Sequence, residues 1–521
     1  MLRTAVWLST RVLIALAPVA AQAQTALLDA AAAGETARAL SILEDREVDA
    51  DVFARSPDGT TALHWAAYYE APDLVEGLLR AGADVHAVNE FGSSPLSEAA
   101  TSANAAVLSA LLAAGARPDE AGADGQTPLM VVARSDRVQA AQVLIEAGAD
   151  VNGREQWRQQ TALMWAAAQR QPEMVRLLID AGAQIDARSQ VNDWPRQVTG
   201  EPRRMYRPFG GMTPLMLAAR SGCRDCARAL VEAGANIDLA DPKNVTPLYL
   251  AIDNMHFDTA KYLIEAGANP NKWDWLGRTP LYAAVDVNTL PHGGRPDRLS
   301  TDQTSSIEVV RLLLEAGANP NPQIKMHLLW RHIGDDRGCD LMLTTGATPL
   351  LRAAKTFDVE AINVLVEHGA DLELPNAGGI TPVMAAAGFG SIECDPRGFG
   401  PGIPHYVSAG VESASIRAIT ALLDAGANIN ARTLSSEAAA GAAGRTALFG
   451  AAFWGWDDVV RFLVDNDADL AAADAEGLTA VDAALGRAGG HGRGATVEVY
   501  EGTAELLRTL CRTEPDCTVS N

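Results

Sequence analysis

Between Asp124 and Asn152 the chain carries two short apolar runs separated by polar turn chemistry. Leu129, Val132 and Ala133 recur at the spacing of one helix face, and Leu144 and Ile145 end a second such run. The boundaries are marked by residues with a mechanical reason to be there. Thr127 is suited to cap the first helix by accepting a backbone N–H, and Pro128 gives up an N–H that the first helical turn leaves unpaired in any case. Gly148 falls where a left-handed residue ends the second helix, and Asp150 and Asn152 suit the turn that follows. The pattern predicts helix, turn, helix and an extended finger. One such unit has an apolar face and too little mass to bury it, so it requires copies on either side.

Equivalent capping positions fall at Thr25, Thr61, Ser94, Thr127, Thr161, Thr213, Thr246, Thr279, Thr348, Thr381, Thr446 and Thr479. Seven of the eleven steps between them are 33 or 34 residues, which predicts an all-α solenoid of about twelve helix-turn-helix units without a parallel sheet. The longer steps locate insertions at about 189–209, 288–304, 322–346, 389–412 and 433–443, either in the fingers or between the two helices of a unit. In the eleventh unit Asp467 stands where the closing glycine belongs, and Asp tolerates the left-handed conformation well enough to close it. The last unit places Asp482 where most copies carry Met, Tyr or Phe, a departure that suits a terminal cap with a wetter outer face.

The period, the Thr61-Ala62-Leu63-His64 tetrad, the recurrent Thr-Pro-Leu and the closing Gly-Ala-Asp or Gly-Ala-Asn together resemble the ankyrin repeat family. The resemblance implies a curved stack whose first helices and fingers line a concave groove, and whose usual work is to bind a protein. It implies no catalytic chemistry and no cofactor.

The N-terminus changes the expected address. Arg3 and Arg11, the apolar run Val12 to Ala21 and Ala21-Gln22-Ala23 read as a cleavable secretory signal over residues 1–23. Repeats then occupy 24–517, and 518–521 form a short tail. The expected location is periplasmic or secreted. The formal charge of −23 becomes −25 once Arg3 and Arg11 are removed, a balance that disfavours nucleic acid and anionic membrane as partners. No stretch of the mature chain is long and apolar enough to span a membrane.

Six cysteines in an exported chain favour pairing. Cys511 and Cys517 are neighbours after the last helix and are expected to bridge. Cys223 and Cys226, in Cys-Arg-Asp-Cys, read as a local disulfide or two ordinary thiols, and Cys339 and Cys394 lie in different insertions. HExxH, GxSxG and a Gly-Lys-Ser/Thr phosphate loop are missing, so no enzyme is expected. His327, His332, Asp335 and Asp336 share one insertion without metal-site spacing; with His292 and His405 they are the residues from which an alternative, insertion-built metal or small-molecule site would be made.

The large side chains carry the candidate contacts. Trp157, Trp273 and Trp275 fall in fingers or their approaches, Trp194 and Trp330 in finger insertions, Trp454 and Trp456 at an inter-helix turn, and Tyr68 and Tyr69 at the end of a first helix. Arg196, Arg203, Arg204 and Arg207 are interleaved with Trp194, Tyr206 and Phe209 in one insertion of an otherwise acidic chain, the composition of an interface hot spot. Two readings remain: the insertions fold back over these rings, or a protein partner covers them. The expected function is a non-enzymatic protein-binding scaffold or accessory protein acting outside the cytoplasm.

Overall fold

The computed structural model describes residues 25–45, 51–192, 209–288, 300–325, 345–389, 410–434, 443–488, 498–514 and 517. Most of each of the five expected insertions falls outside these residues, and with them Trp194, Arg203, Arg204, Arg207 and Trp330, the histidine-bearing loops, Cys339, Cys394 and the expected leader.

The described helices form twelve pairs in two compact units, one of the described residues up to Asn192 and from Phe209 to Asn236, the other of those from Ile237 onward. The first holds α1 (25–32), α2 (Thr36–Glu44), α3 (Ala62–Tyr68), α4 (Pro72–Arg80), α5 (Pro95–Ser102), α6 (Ala105–Ala113), α7 (Pro128–Val132), α8 (Val138–Glu146), α9 (Ala162–Ala168), α10 (Pro172–Asp180), α11 (Pro214–Ser221) and α12 (Arg224–Glu232). The second holds α13 (Pro247–Asp253), α14 (Phe257–Glu265), α15 (Pro280–Asn288), α16 (Ser306–Glu315), α17 (Pro349–Lys355), α18 (Val359–Glu367), α19 (Pro382–Ala386), α20 (Val411–Asp424), α21 (Ala447–Phe453), α22 (Asp457–Asp465), α23 (Ala480–Ala484) and α24 (Glu501–Arg512). Within each unit first helices pack on first helices and second on second, as α3 does on α5 and α4 on α6, or α15 on α17 and α16 on α18. The described strands are two-residue pieces, β1 (Val191–Asn192) and β2 (Phe209–Gly210), antiparallel at the base of one finger.

Local chemistry starts the helices as the pattern predicts. Thr127 Oγ1 accepts from Met130 N at 3.4 Å and Thr348 Oγ1 from Leu351 N at 3.1 Å, with Pro128 and Pro349 in the first turn. The leucine two places after each cap, such as Leu63, Leu129 and Leu281, is buried, a gain of about 1.5–3 kcal/mol per side chain over exposure. Gly148 has φ +90° and Asp467, in the place of a glycine, φ +67°, so the eleventh unit closes like the others.

Asparagine after the closing turn does more than suit a bend. Asn152 Nδ2 donates to Gly182 O at 3.1 Å while its Oδ1 accepts Gln184 N at 2.7 Å, tying one unit to the next. Asn271, Asn321 and Asn430 repeat the two bonds onto Gly317 and Asn319, Gly369 and Asp371, and Asp467 and Asp469. An amide offers a donor and an acceptor from one planar group, which Asp at the same place does not.

Two expectations need correction. Asp482 does not give the last unit a wet face: it is buried, and its Oδ2 accepts Thr479 N at 2.9 Å and Thr479 Oγ1 at 3.0 Å while Oδ1 takes Arg487 at 3.0 Å. It performs the reciprocal capping that His64 performs for Thr61. Trp454 and Trp456 are not exposed: they are 9% and 3% accessible, and the Trp454 indole N–H donates to Gly388 O at 2.9 Å. Cys511 and Cys517 stand at disulfide distance, 2.12 Å between sulfurs, as do Cys223 and Cys226 at 1.94 Å.

Candidate functional site

The fingers are built around buried acceptors. Glu155, 4% exposed, receives the backbone N–H groups of Trp157 at 2.6 Å, Arg158 at 2.8 Å and Gln160 at 3.0 Å, which folds the turn around its carboxylate. Its consequence is at the tip: Trp157 is 74% exposed on a backbone that is already ordered. Asp274 does the same in the second unit, accepting Leu276 N, Arg278 N and Arg278 Nε at 2.8 to 2.9 Å, and its charge is met by Arg278 Nη2 at 2.7 Å. Trp273 and Trp275 flank that aspartate and are 44% and 40% exposed.

Neighbouring fingers are laced to each other. Trp275 N donates to Lys243 O at 2.8 Å, Lys325 N to Leu276 O at 2.9 Å, and Asn244 Nδ2 to Trp273 O. The Lys325 ammonium stands 3.2 Å from the centroid of the Trp273 ring, an attraction worth about 0.5–1 kcal/mol at an exposed site. Asn244 opens a glycosylation-like triplet in the sequence; here its amide is engaged with the next finger.

First helices supply a second aromatic group. On α3, Trp65 stacks on Tyr69 with centroids 6.0 Å apart and 25° between planes, and Tyr68 meets Tyr69 edge-on at 5.1 Å. Tyr69 is fixed by its hydroxyl on Ala32 O at 3.2 Å, yet Tyr68 and Tyr69 remain 51% and 44% exposed. Two repeats on, Arg134 lies over the Trp165 ring at 5.4 Å. On α11 the Arg220 guanidinium is pushed below its ordinary pKa, first by burial and then by repulsion from Arg158.

Five of the expected contact residues, Tyr68, Tyr69, Trp157, Trp273 and Trp275, are thus exposed at fingers or first-helix ends, and Trp454 is covered by the chain itself. Tyr68, Tyr69 and Trp157 belong to the first unit, and Trp273 and Trp275 to the second. Phe53 and Phe91, 63% and 65% exposed, are further exposed rings outside the expected contacts. A signal for Phe91 exists: it stands two places after the finger acceptor Asn89, as Trp157 stands two places after Glu155. Among the described residues no group of three or more His, Cys, Asp or Glu side chains is placed to hold a metal ion, and no helix is long and apolar enough to cross a membrane.

The repeating sequence of these helix pairs matches a known family. A model of ankyrin repeats in sets of three copies matches residues 10–89, 66–155, 96–189, 154–241, 196–274 and 237–324, and a single ankyrin repeat matches 443–475. The chain is an ankyrin repeat protein. Among solved structures, this ankyrin repeat protein is similar to the human ASB11 ankyrin repeat domain, at 21% identity over 47% of this chain and 98% of that one, with a TM-score of 0.39. It is also similar to the ankyrin repeat domain of Bcl-3, a member of the IkappaB family, at 23% identity over 43% and 94% of the two chains and a TM-score of 0.37. No curated protein matches its sequence. Ankyrin repeats generally serve as protein-interaction scaffolds.

Proposed function

We propose that this ankyrin repeat protein is a non-enzymatic scaffold that binds a protein partner outside the cytoplasm through its finger tips and first-helix ends. The observation that carries the reading is Trp157, whose ring stands in solvent on a turn already ordered by the buried Glu155. Large exposed rings on an ordered backbone lose little freedom on docking, so most of their burial appears as affinity. The export half of the proposal rests on the basic and apolar residues of 1–23 and on paired rather than free thiols at Cys223, Cys226, Cys511 and Cys517.

Affinity capture from the native compartment with the mature chain as bait identifies the partner, after which binding is compared for Trp157→Ala, Trp273→Ala and Arg204→Ala. Loss of about tenfold or more for at least one of these, with unfolding unchanged, is expected of an interface anchor. Normal binding by all three, or early unfolding, assigns the side chains to the chain's own packing and ends the reading.

A further inference from the structure

In the second unit α15 and α17 pack directly on each other and meet through charge. Tyr282 and Asp286 on α15, and Arg352 and Lys355 on α17, are all 0% or 1% exposed. Asp286 Oδ1 accepts from Arg352 Nε at 2.6 Å, an ion pair sealed from solvent. Beyond that bond the guanidinium is incomplete: Nη1 and Nη2 of Arg352 are both buried and neither has a hydrogen-bond partner among the described residues. Those two nitrogens carry four of the five N–H groups of the guanidinium. A buried donor left unsatisfied is destabilising, and more so when the group is charged.

Packing does not demand an arginine there. Four places after the capping threonine, other first helices carry Leu217, Leu250 or Ala385, all compatible with the same stack. What distinguishes an arginine whose Nε is already held by a carboxylate is the orientation of the remaining edge. Asp286 fixes the plane of the guanidinium, and the two Nη atoms then present the fork that matches two oxygens of one oxyanion. Lys355, one helical turn further on the same helix, is a second buried cationic side chain of α17.

We infer that Arg352, oriented by Asp286, forms an oxyanion-binding site between α15 and α17 that takes a single carboxylate or phosphate group. The site is separate from the exposed aromatic residues and does not depend on how those are read. Isothermal titration of the full chain, first with inorganic phosphate and then with acetate at fixed ionic strength, tests it. Saturable binding tighter than about 1 mM is expected for at least one of them. Response to phosphate alone assigns a phosphoryl ligand, and response to acetate a carboxylate. Arg352→Lys keeps the charge and removes the fork, so it must weaken binding at least tenfold while circular dichroism stays that of the unaltered chain.

Should that variant not fold, hydrogen exchange on the unaltered chain gives an independent answer. Saturating ligand must slow exchange in α15 and α17 and leave α22 unchanged. Slowing spread evenly over all helices is what an excluded salt produces through general stabilisation, and it overturns the site. So does the lack of saturable binding of either anion, or binding that Arg352→Lys leaves intact.

Discussion

Gly450 lies inside α21, where alanine ordinarily improves a helix by about 1 kcal/mol. Here the gain is blocked by the neighbouring unit. A Cβ on Gly450 would stand 2.6 Å from Phe389 N, 2.8 Å from Ala387 O and 2.8 Å from Phe389 Cα, all of them backbone atoms just past α19. Carbon atoms in contact rest at about 3.5–4.0 Å, so α21 must withdraw by roughly 1 Å. That movement pulls at Trp454, whose indole N–H is bonded to Gly388 O, and at Trp456, which packs against Gly388. Overpacking of this kind costs about 1–3 kcal/mol, and an obstacle made of backbone belongs at the upper end. Net of the helix gain, Gly450→Ala is expected to destabilise by about 2 kcal/mol.

Gly77 in α4 is the control, because its added Cβ meets only the Leu43 and Leu40 side chains at 3.4 and 3.5 Å, ordinary contact distances. Gly77→Ala should stabilise its surroundings by about 0.5–1 kcal/mol. Repeat stacks open locally, so the assay is hydrogen exchange by segment rather than one global midpoint. Amides of α19 to α22 should exchange roughly 30-fold faster in Gly450→Ala, since 1.4 kcal/mol corresponds to a factor of ten. Amides of α2 to α4 in Gly77→Ala should slow. Equal signs for the two substitutions would refute the reasoning.

Trp454→Ala should cost about 3–5 kcal/mol of local stability, as expected for a large buried ring, whereas Trp157→Ala should stay within about 0.5 kcal/mol by urea unfolding. Acidification should loosen the second repeat through His64, whose pKa is held below its ordinary 6.5 first by burial, and whose Nδ1 accepts Thr61 N while Nε2 donates to Ser93 O. The folded state holds the neutral ring and the unfolded chain takes up the proton first. Stability is therefore full above 6.5 and declines as pH falls from there towards the folded value. His64→Gln keeps an acceptor without a titration, so the opening free energy of α3 and α4, from exchange corrected for the intrinsic rate at each pH, should lose its dependence on pH between about 7.5 and 5.5; an unchanged dependence sinks the assignment.

The local features that set the repeat were legible in the chain itself: the caps at Thr127 and Thr348, the closing turn at Gly148, its replacement by Asp467, and hence twelve helix pairs of one family; Asp482, which caps Thr479 from three residues away, was not. Finger residues such as Trp157 and Trp273 were legible as exposed for the same reason, because a turn too short to bury its tip shows it to solvent. What tertiary structure alone decided depends on the unit next door. Trp454 is buried because Gly388, 66 residues earlier, has no side chain and leaves it a slot. Arg352 finds Asp286 across another 66 residues and an insertion of a length no period predicts. Asn152 reads as a turn residue until Gly182 and Gln184 of the following unit stand against its amide. A repeat specifies its own helices by local hydrogen bonding and apolar spacing; the surroundings of each side chain on its faces are set by the neighbour, and the sequence period carries no record of which neighbour kept a side chain and which gave it up.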